Sequence, residues 1–303
     1  MFGLIKTSIN HFMEDRCVTL AASLAFYTIF SLPPLLFILA TLLTYSIGLY
    51  AGGEDAEDQA YAAVQQQVGM MLGNEAAQDE IGKIMQNQSH TVGIGWKTLV
   101  SLIGVLVGAT GVVAALQDSL NIVWRIKQDP VRGSRFDLIW KRVLSLGMIL
   151  AVGFLLLVSF LLSMMVDTAA ERVSDFVGIQ PWVASAINFA IAFLVIFLTI
   201  ATIFKFMPDA EILWNDVWVG ALLTAVLFTL GRYVMTLYFS FSNPGEQLGS
   251  AAGALVVVLV WVYFSSMIVL FGAEFTQAWV RRTGRRVRLS PGAVHFEEKT
   301  VLA

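Results

Sequence analysis

Six long apolar runs, separated by polar segments, dominate the sequence. The first run, 17–53, carries no charge, and the fifth holds a single arginine, Arg232, in its interior. Since a membrane-spanning helix needs about 20 mostly apolar residues, each run predicts one span. The predicted spans cover residues 20–49, 98–120, 141–166, 181–206, 217–240 and 250–278. The pattern therefore predicts an all-α fold, a polytopic membrane bundle of six transmembrane helices over residues 1–280, followed by a basic and then polar tail, 281–303.

The composition restricts the classes of function. The chain is 57% hydrophobic and 14% charged, whereas soluble domains carry about a quarter charged residues. The lone Cys17 excludes an internal disulfide and a cysteine-based zinc site, and the three histidines lie in separate polar segments, so no metal or cofactor is expected. The first 16 residues lack the features of a cleaved signal peptide, so we expect the first span to stay attached.

The basic residues fall on alternate sides of the predicted spans. If the N-terminus is inside, 15 of the 19 Lys and Arg residues lie in inner segments. The outer segments hold three, Lys83, Lys97 and Arg172, and Arg232 lies within a span. Because cytoplasmic loops near span ends are enriched in Lys and Arg, both termini are predicted to be cytoplasmic.

The longest connection, 51–96, is acidic and lies on the predicted outer side. Apolar residues recur in it at helical spacing on both sides of Gly73-Asn74. We expect two short amphipathic helices here, which form either a packed lid or a binding element.

Polar residues inside the predicted spans are the candidates for a pocket. A buried guanidinium is costly, so Arg232 is expected to face the bundle interior or a water-filled cavity. Its depth matches that of Asn188 and Ser159, and the three could share a polar pocket; alternatively, Arg232 is a structural clamp. Pro33 and Pro34 predict a kink or break in the first span, which is common in transport sites.

A second group of charges lies near the inner ends of the spans. Asp118 and Glu274 are expected at a depth similar to that of Arg16 and Arg125. Unpaired carboxylates would be expensive there, so we predict an inner charge cluster. It is either a structural tie between helix ends or a site that couples transport to a proton or cation.

The predicted cytoplasmic face is positive. Membrane lipids are the expected partners, and basic residues near the surface attract anionic headgroups. The candidates are Arg125, Arg132, Arg135, Arg281 and Arg285. No aromatic interleaving or Gly-rich motif supports binding of nucleic acid.

No set of residues indicates catalysis. Metal-ligand spacing, nucleotide-binding glycine patterns and a Ser-His-acid set in adjacent segments are all missing, so the chain is not expected to be an enzyme. Two GxxxG matches, Gly104-x3-Gly108 and Gly249-x3-Gly253, indicate close helix packing and leave a homo-oligomer open.

Three stretches resemble the YihY/BrkB family of membrane proteins. They are DRCVTLAASLAFYTIFSLPP at 15–34, the segment from Gly108 to Trp124, and the segment from Gly253 to Thr276. The resemblance covers most of the chain in the expected order. It implies a six-span, multi-pass protein of the bacterial inner membrane, in a family of unsettled function that was formerly named ribonuclease BN.

Three functional hypotheses follow from the sequence and the resemblance. The preferred one is a secondary transporter or flippase-like permease for an ion, a lipid or an anionic small molecule. The second is a non-transporting membrane scaffold for envelope assembly, with the same polar residues as structural ties. The third, a ribonuclease, has no support in the residues.

Overall fold

A computed structural model describes residues 2–30, 111–128, 181–242, 250–284, 288–289 and 293–295. Most of these residues are helical. The helices are α1 (Phe2–Glu14), α2 (Cys17–Phe30), α3 (Gly111–Val123), α4 (Pro181–Phe206), α5 (Trp214–Ser242) and α6 (Ser250–Arg282). The four short strands are β1 (Ile126–Gln128), β2 (Ala210–Glu211), β3 (Arg288–Leu289) and β4 (Ala293–His295).

Three helices are long and apolar enough to cross a membrane. Their membrane-length portions are Ser185–Phe206, Trp214–Phe241 and Val256–Arg282, and they coincide with the fourth, fifth and sixth predicted spans. The helical class is therefore confirmed for this part of the chain. The span predicted at 141–166, most of the spans at 20–49 and 98–120, and the outer loop 51–96 lie outside the described residues, so the number six stays a prediction.

Helix ends follow the local sequence. α5 begins with Asp216 in its first turn, and α6 ends with Arg281 and Arg282 in its last turn. Both arrangements match the partial charges at helix ends. Gly284, with a φ of 70°, follows α6 in the left-handed conformation that commonly stops a helix.

The strands form two small antiparallel ladders that the helical prediction missed. β1 pairs with β4, with Lys127 opposite Val294, and β2 pairs with β3, with Ala210 opposite Leu289. The residues after α6 are thereby joined to the segment after α3 and to the segment between α4 and α5.

The chain divides into two compact units. One consists of residues 1–17, 116–229 and 268–303, and the other of residues 18–115 and 230–267. In the second, Tyr27 lies next to Gly111, where an added Cβ would stand 3.4 Å from the ring. The first unit, here called the N/C unit, contains both ladders and most of the described buried side chains.

Within the N/C unit, α5 and α6 approach each other through two glycines. A Cβ added to Gly220 would lie 1.7 Å from the Thr276 hydroxyl oxygen, and one added to Gly272 would lie 1.8 Å from that of Thr224. Each threonine hydroxyl donates to the carbonyl of the glycine four residues earlier in its own helix, at 2.7 Å. The contact is reciprocal and antiparallel, because 220 faces 276 while 224 faces 272.

Candidate functional site

Helix α1 packs along the C-terminal part of α6. Leu4 forms a buried apolar cluster with Phe275 and Ala278. Phe12 meets Phe271 edge to face, with ring centroids 6.1 Å apart. This packing brings the polar residues at the end of α1 against the same stretch of α6.

Glu274 lies at the centre of that contact, and its side chain is wholly buried, at 0% exposure. The Cys17 thiol donates to Glu274 Oε1 at 3.6 Å. His11 Nδ1 lies 3.9 Å from Glu274 Oε2, and the Asp15 and Glu274 carboxyl groups are close enough to interact electrostatically. We call His11, Asp15, Cys17 and Glu274 the carboxyl cluster.

Arg125 lies at the edge of the carboxyl cluster. Its Nη2 atom is 3.5 Å from Glu14 Oε2 and 3.8 Å from Asp15 Oδ1. It follows α3 with a φ of 54°, in the left-handed region that non-glycine residues seldom adopt. The turn after α3 thus directs a positive charge towards the end of α1.

The surroundings of the cluster shift the pKa values of Asp15 and His11 in opposite directions. Burial raises the pKa of Asp15 above its ordinary value, although the interaction with Glu274 and the charge of Arg125 oppose this rise. Burial also lowers the pKa of His11, and the positive charges of Arg281 and Arg125 lower it further. A neutral imidazole therefore lies beside two carboxyl groups.

The chemistry that this arrangement permits is the binding and release of a proton. Two interacting carboxyl groups cannot both ionise easily, so the pair favours a state in which one of them keeps its proton. His11 Nδ1, Asp15 Oδ2 and Glu274 Oε2 are buried without a hydrogen-bond partner, and each such buried polar atom calls for an explanation. Among the described residues, no group of three or more His, Cys, Asp or Glu side chains has the arrangement of a metal site.

A neighbouring set of polar contacts joins α3, the α4–α5 connection and α6. Asn121 donates to Asp209 at 3.0 Å and accepts from its backbone amide at 2.8 Å, while Gln117 donates to the same carboxylate at 3.3 Å. Gln277 donates to the Val123 carbonyl at 2.6 Å. Because these bonds join α3, the α4–α5 connection and α6, they fix the frame around Glu274.

The structure brings part of the predicted inner cluster together. Glu274 and Arg125 lie in one group of interacting charges, joined through Asp15, whereas Arg16 and Asp118 are exposed. Sequence reasoning missed His11, Asp15 and Cys17. The signal was the spacing of Leu4, Ser8, His11 and Asp15, which places all four on one face of a helix.

The predicted pocket around Arg232 stays a prediction. Arg232 is partly buried in α5, with its guanidinium carbon 5.9 Å from the centre of the Tyr233 ring, and Asn188 is partly buried in α4. Ser159, Pro33 and Pro34 lie outside the described residues. So do Arg132, Arg135 and Arg285 among the predicted headgroup contacts; of the other two, Arg281 is exposed and Arg125 faces the carboxylates.

Comparison with known proteins identifies the family. A family profile described as virulence factor BrkB matches residues 8–295. The chain belongs to the BrkB family. The match includes all four residues of the carboxyl cluster and both ladders.

Relatives of this BrkB-family chain are named as membrane proteins. A UPF0761 membrane protein of Alkalilimnicola ehrlichii is 27% identical over 89% of the chain and 56% of its own length. A relative of Pseudomonas paraeruginosa is 26% identical over 90% of the chain and 63% of its own length. A relative of Aeromonas salmonicida is 24% identical over 88% of the chain and 85% of its own length. The chain thus spans about three fifths of the length of the first two. No solved structure matches the chain.

Proposed function

We propose that this protein is a proton-coupled secondary transporter of the bacterial inner membrane, in which the carboxyl cluster binds and releases the coupling proton. One observation carries the proposal: Glu274 is wholly buried in a helix of membrane-spanning length and interacts with a second carboxyl group, that of Asp15. Ionisable residues inside membrane helices are expensive and mark proton relays or ion pathways. Transport, rather than enzymatic turnover, is accordingly the proposed activity.

Each member of the cluster has a role in this cycle. Glu274 and Asp15 share the proton, His11 lies close enough to pass it on, and Arg125 balances the negative charge that remains after its release. Among the described residues, His11 is the one basic side chain with an atom within 4.0 Å of Glu274. Loss of the proton therefore sets two carboxylates against each other, which favours separation of α1 from α6.

Such a separation is the kind of change that a transport cycle needs. A proton that binds one arrangement of helices better than another shifts the population between them. In the proposed cycle, protonation docks α1 on α6 and deprotonation loosens it. The substrate, an ion, a lipid or an anionic small molecule, is assigned to the pocket predicted around Arg232, Asn188, Ser159, Pro33 and Pro34.

The contacts of the N/C unit support the six-span topology that belongs to this proposal. The start of α2 meets the end of α6 through Cys17 and Glu274, and the end of α3 meets α6 through Val123 and Gln277. Asn121, near the end of α3, meets Asp209 just before α5. If these helices cross the membrane, segments that touch outside it lie on the same side. An even number of crossings then separates the two members of each contact along the chain, as in a six-span protein. The charge split of the sequence assigns this end to the cytoplasm.

A flux measurement with matched variants tests the proposal. Everted membrane vesicles are acidified by respiration, and the fluorescence of a pH-sensitive acridine dye is followed while a panel of inorganic ions and amphipathic solutes is added. We expect at least one solute to release protons from wild-type vesicles, and Glu274→Gln to abolish the response. Glu211→Gln is the control, because Glu211 is an exposed carboxylate in β2 that makes none of the contacts of the cluster.

Infrared spectroscopy of the purified protein gives a second measurement that needs no substrate. Wild-type protein should show a protonated-carboxyl band that changes with pH, and the band should be lost in Glu274→Gln and kept in Glu211→Gln. Two results together would contradict the proposal. The wild type would exchange protons with no solute of the panel, and the folded Glu274→Gln protein would keep the band unchanged. A variant that instead fails to fold, as Glu274→Ala also would, favours the scaffold hypothesis.

A further inference from the structure

Helix α1 exposes a row of large apolar side chains that no described residue covers. Ile5, Ile9 and Met13 are 44%, 49% and 64% exposed, and they follow one another at intervals of four residues. Residues so spaced lie on the same face of a helix. The row therefore runs along nearly the whole length of α1.

The surface of α1 divides into three sectors of different chemistry. One sector packs on the bundle and contains Leu4 and Ser8, both buried, together with partly buried His11 and Phe12. The second is the apolar row. The third is polar or small and exposed, and consists of Gly3, Lys6, Thr7, Asn10 and Glu14. A helix that packs on a bundle in water needs one apolar sector, which faces the bundle. A helix that also lies on a membrane surface needs a second apolar sector for the lipid and a polar sector for the water.

The neighbours of α1 place it at the level where helices leave the membrane. Only Asp15 and Arg16 separate it from the apolar helix α2. Its partner on α6 includes Trp279, which packs against the Leu4 cluster, and the next residue but one is Arg281. Tryptophan and arginine concentrate at the boundary between headgroups and acyl chains.

We propose that α1 lies in the plane of the membrane surface and seats Ile5, Ile9 and Met13 among the lipids at the headgroup–acyl boundary. The partner is the phospholipid bilayer itself. Lys6, next to the apolar row in sequence, and Arg16, two residues after the end of α1, are exposed, and their positive charges favour an anionic surface. The inference is independent of proton coupling, since it concerns a different sector of α1 from the one that packs near Glu274.

Spin labels report this seating directly. Single cysteines are introduced by Ile5→Cys, Ile9→Cys and Met13→Cys, and by Lys6→Cys, Asn10→Cys and Glu14→Cys as matched controls, in a Cys17→Ser background. The labelled full-length protein is reconstituted into vesicles of phosphatidylethanolamine and phosphatidylglycerol. Collisions with oxygen, which concentrates in lipid, are compared with collisions with a water-soluble nickel chelate. We expect labels at 5, 9 and 13 to favour oxygen and labels at 6, 10 and 14 to favour nickel.

Two results would overturn the proposal. Nickel access at 5, 9 and 13 equal to that at the control sites would place α1 in water. Protection of those three sites from both reagents would mean that protein, such as a second copy of the chain, covers the row. Because Cys17 touches Glu274, a Cys17→Ala background repeats the series, and thermal unfolding of each variant confirms that the labelled protein is folded.

Discussion

At the level of single residues, the carboxyl cluster contains two groups whose titration acts on stability in opposite directions. The pKa of Asp15 is raised mainly by burial, so the folded state takes up its proton more readily than the unfolded state. The pKa of His11 is lowered by burial and by Arg281 and Arg125, so the folded state holds that proton less readily. The two effects can be separated by replacing one residue at a time.

For Asp15, we expect wild-type protein to lose stability as the pH rises from the ordinary pKa of 3.8 through the raised pKa of the folded state. Asp15→Asn cannot ionise and imitates the protonated form, so its unfolding midpoint should gain on that of wild type as the pH rises. Thermal unfolding in detergent over a pH series measures this. Glu211→Gln should follow wild type; a constant offset of Asp15→Asn at every pH would contradict the assignment.

For His11, the sign is reversed. Stability should fall as the pH drops below 6.5, because the unfolded chain then binds a proton that the folded imidazole still refuses. His11→Gln should remove this loss. The unfolding midpoint of the variant should exceed that of wild type only on the acid side. The same pH series decides the matter, and a difference confined to the alkaline side would refute it.

The sequence identified part of this site and missed the rest for a physical reason. Glu274 and Arg125 attract notice because a charge in or beside an apolar run is expensive. His11 and Asp15 lie in an ordinary polar segment, where a charge costs little until a partner buries it. Their role depends on α1 docking against a helix more than 250 positions away along the chain, which no local pattern records.

At the level of elements, the α5–α6 contact depends on the small size of two glycines. Gly220→Ala should destabilise the protein by about 1–3 kcal/mol, the usual range for overpacking, because its Cβ would collide with Thr276. The pair Gly220→Ala with Thr276→Gly moves the bulk from one helix to the other and should recover part of the loss. Thermal unfolding of the single and double variants measures both effects.

Gly3→Ala is the control for this experiment, since a Cβ there would meet nothing within 4 Å. It should leave stability unchanged or raise it slightly, because alanine favours the helix. A Gly220→Ala protein as stable as wild type would show that the helices separate without cost.

Element boundaries followed the sequence where the signal was long. The span predicted at 181–206 is Pro181–Phe206 in the structure, and the spans predicted at 217–240 and 250–278 lie within α5 and α6. The ladders were missed because strands of two or three residues are too short to show alternation. The GxxxG pattern does not predict the Gly220–Thr276 contact, because here each glycine faces a threonine of the neighbouring helix.

At the level of the whole molecule, the contacts among helix ends support a topology that can be tested. In a Cys17→Ser background, cysteines at positions 60 and 75 should react with a membrane-impermeant reagent from the outside. Cysteines at 130 and 290 should react only when the inside is exposed. Alkylation of intact and permeabilised cells measures this, and external labelling at 290 would overturn the orientation.

The chain order of the cluster has a consequence for biogenesis. Cys17 and Glu274 are 257 positions apart, so at about 5–20 residues per second the N-terminal helix waits on the order of ten seconds or longer for its partner to be synthesised. Until α6 has been inserted, α1 has no docking surface. Closure of the cluster thus occurs only after α6 has been made, and a nascent chain that stops before residue 250 is expected to leave its N-terminal segment open to proteases and chaperones.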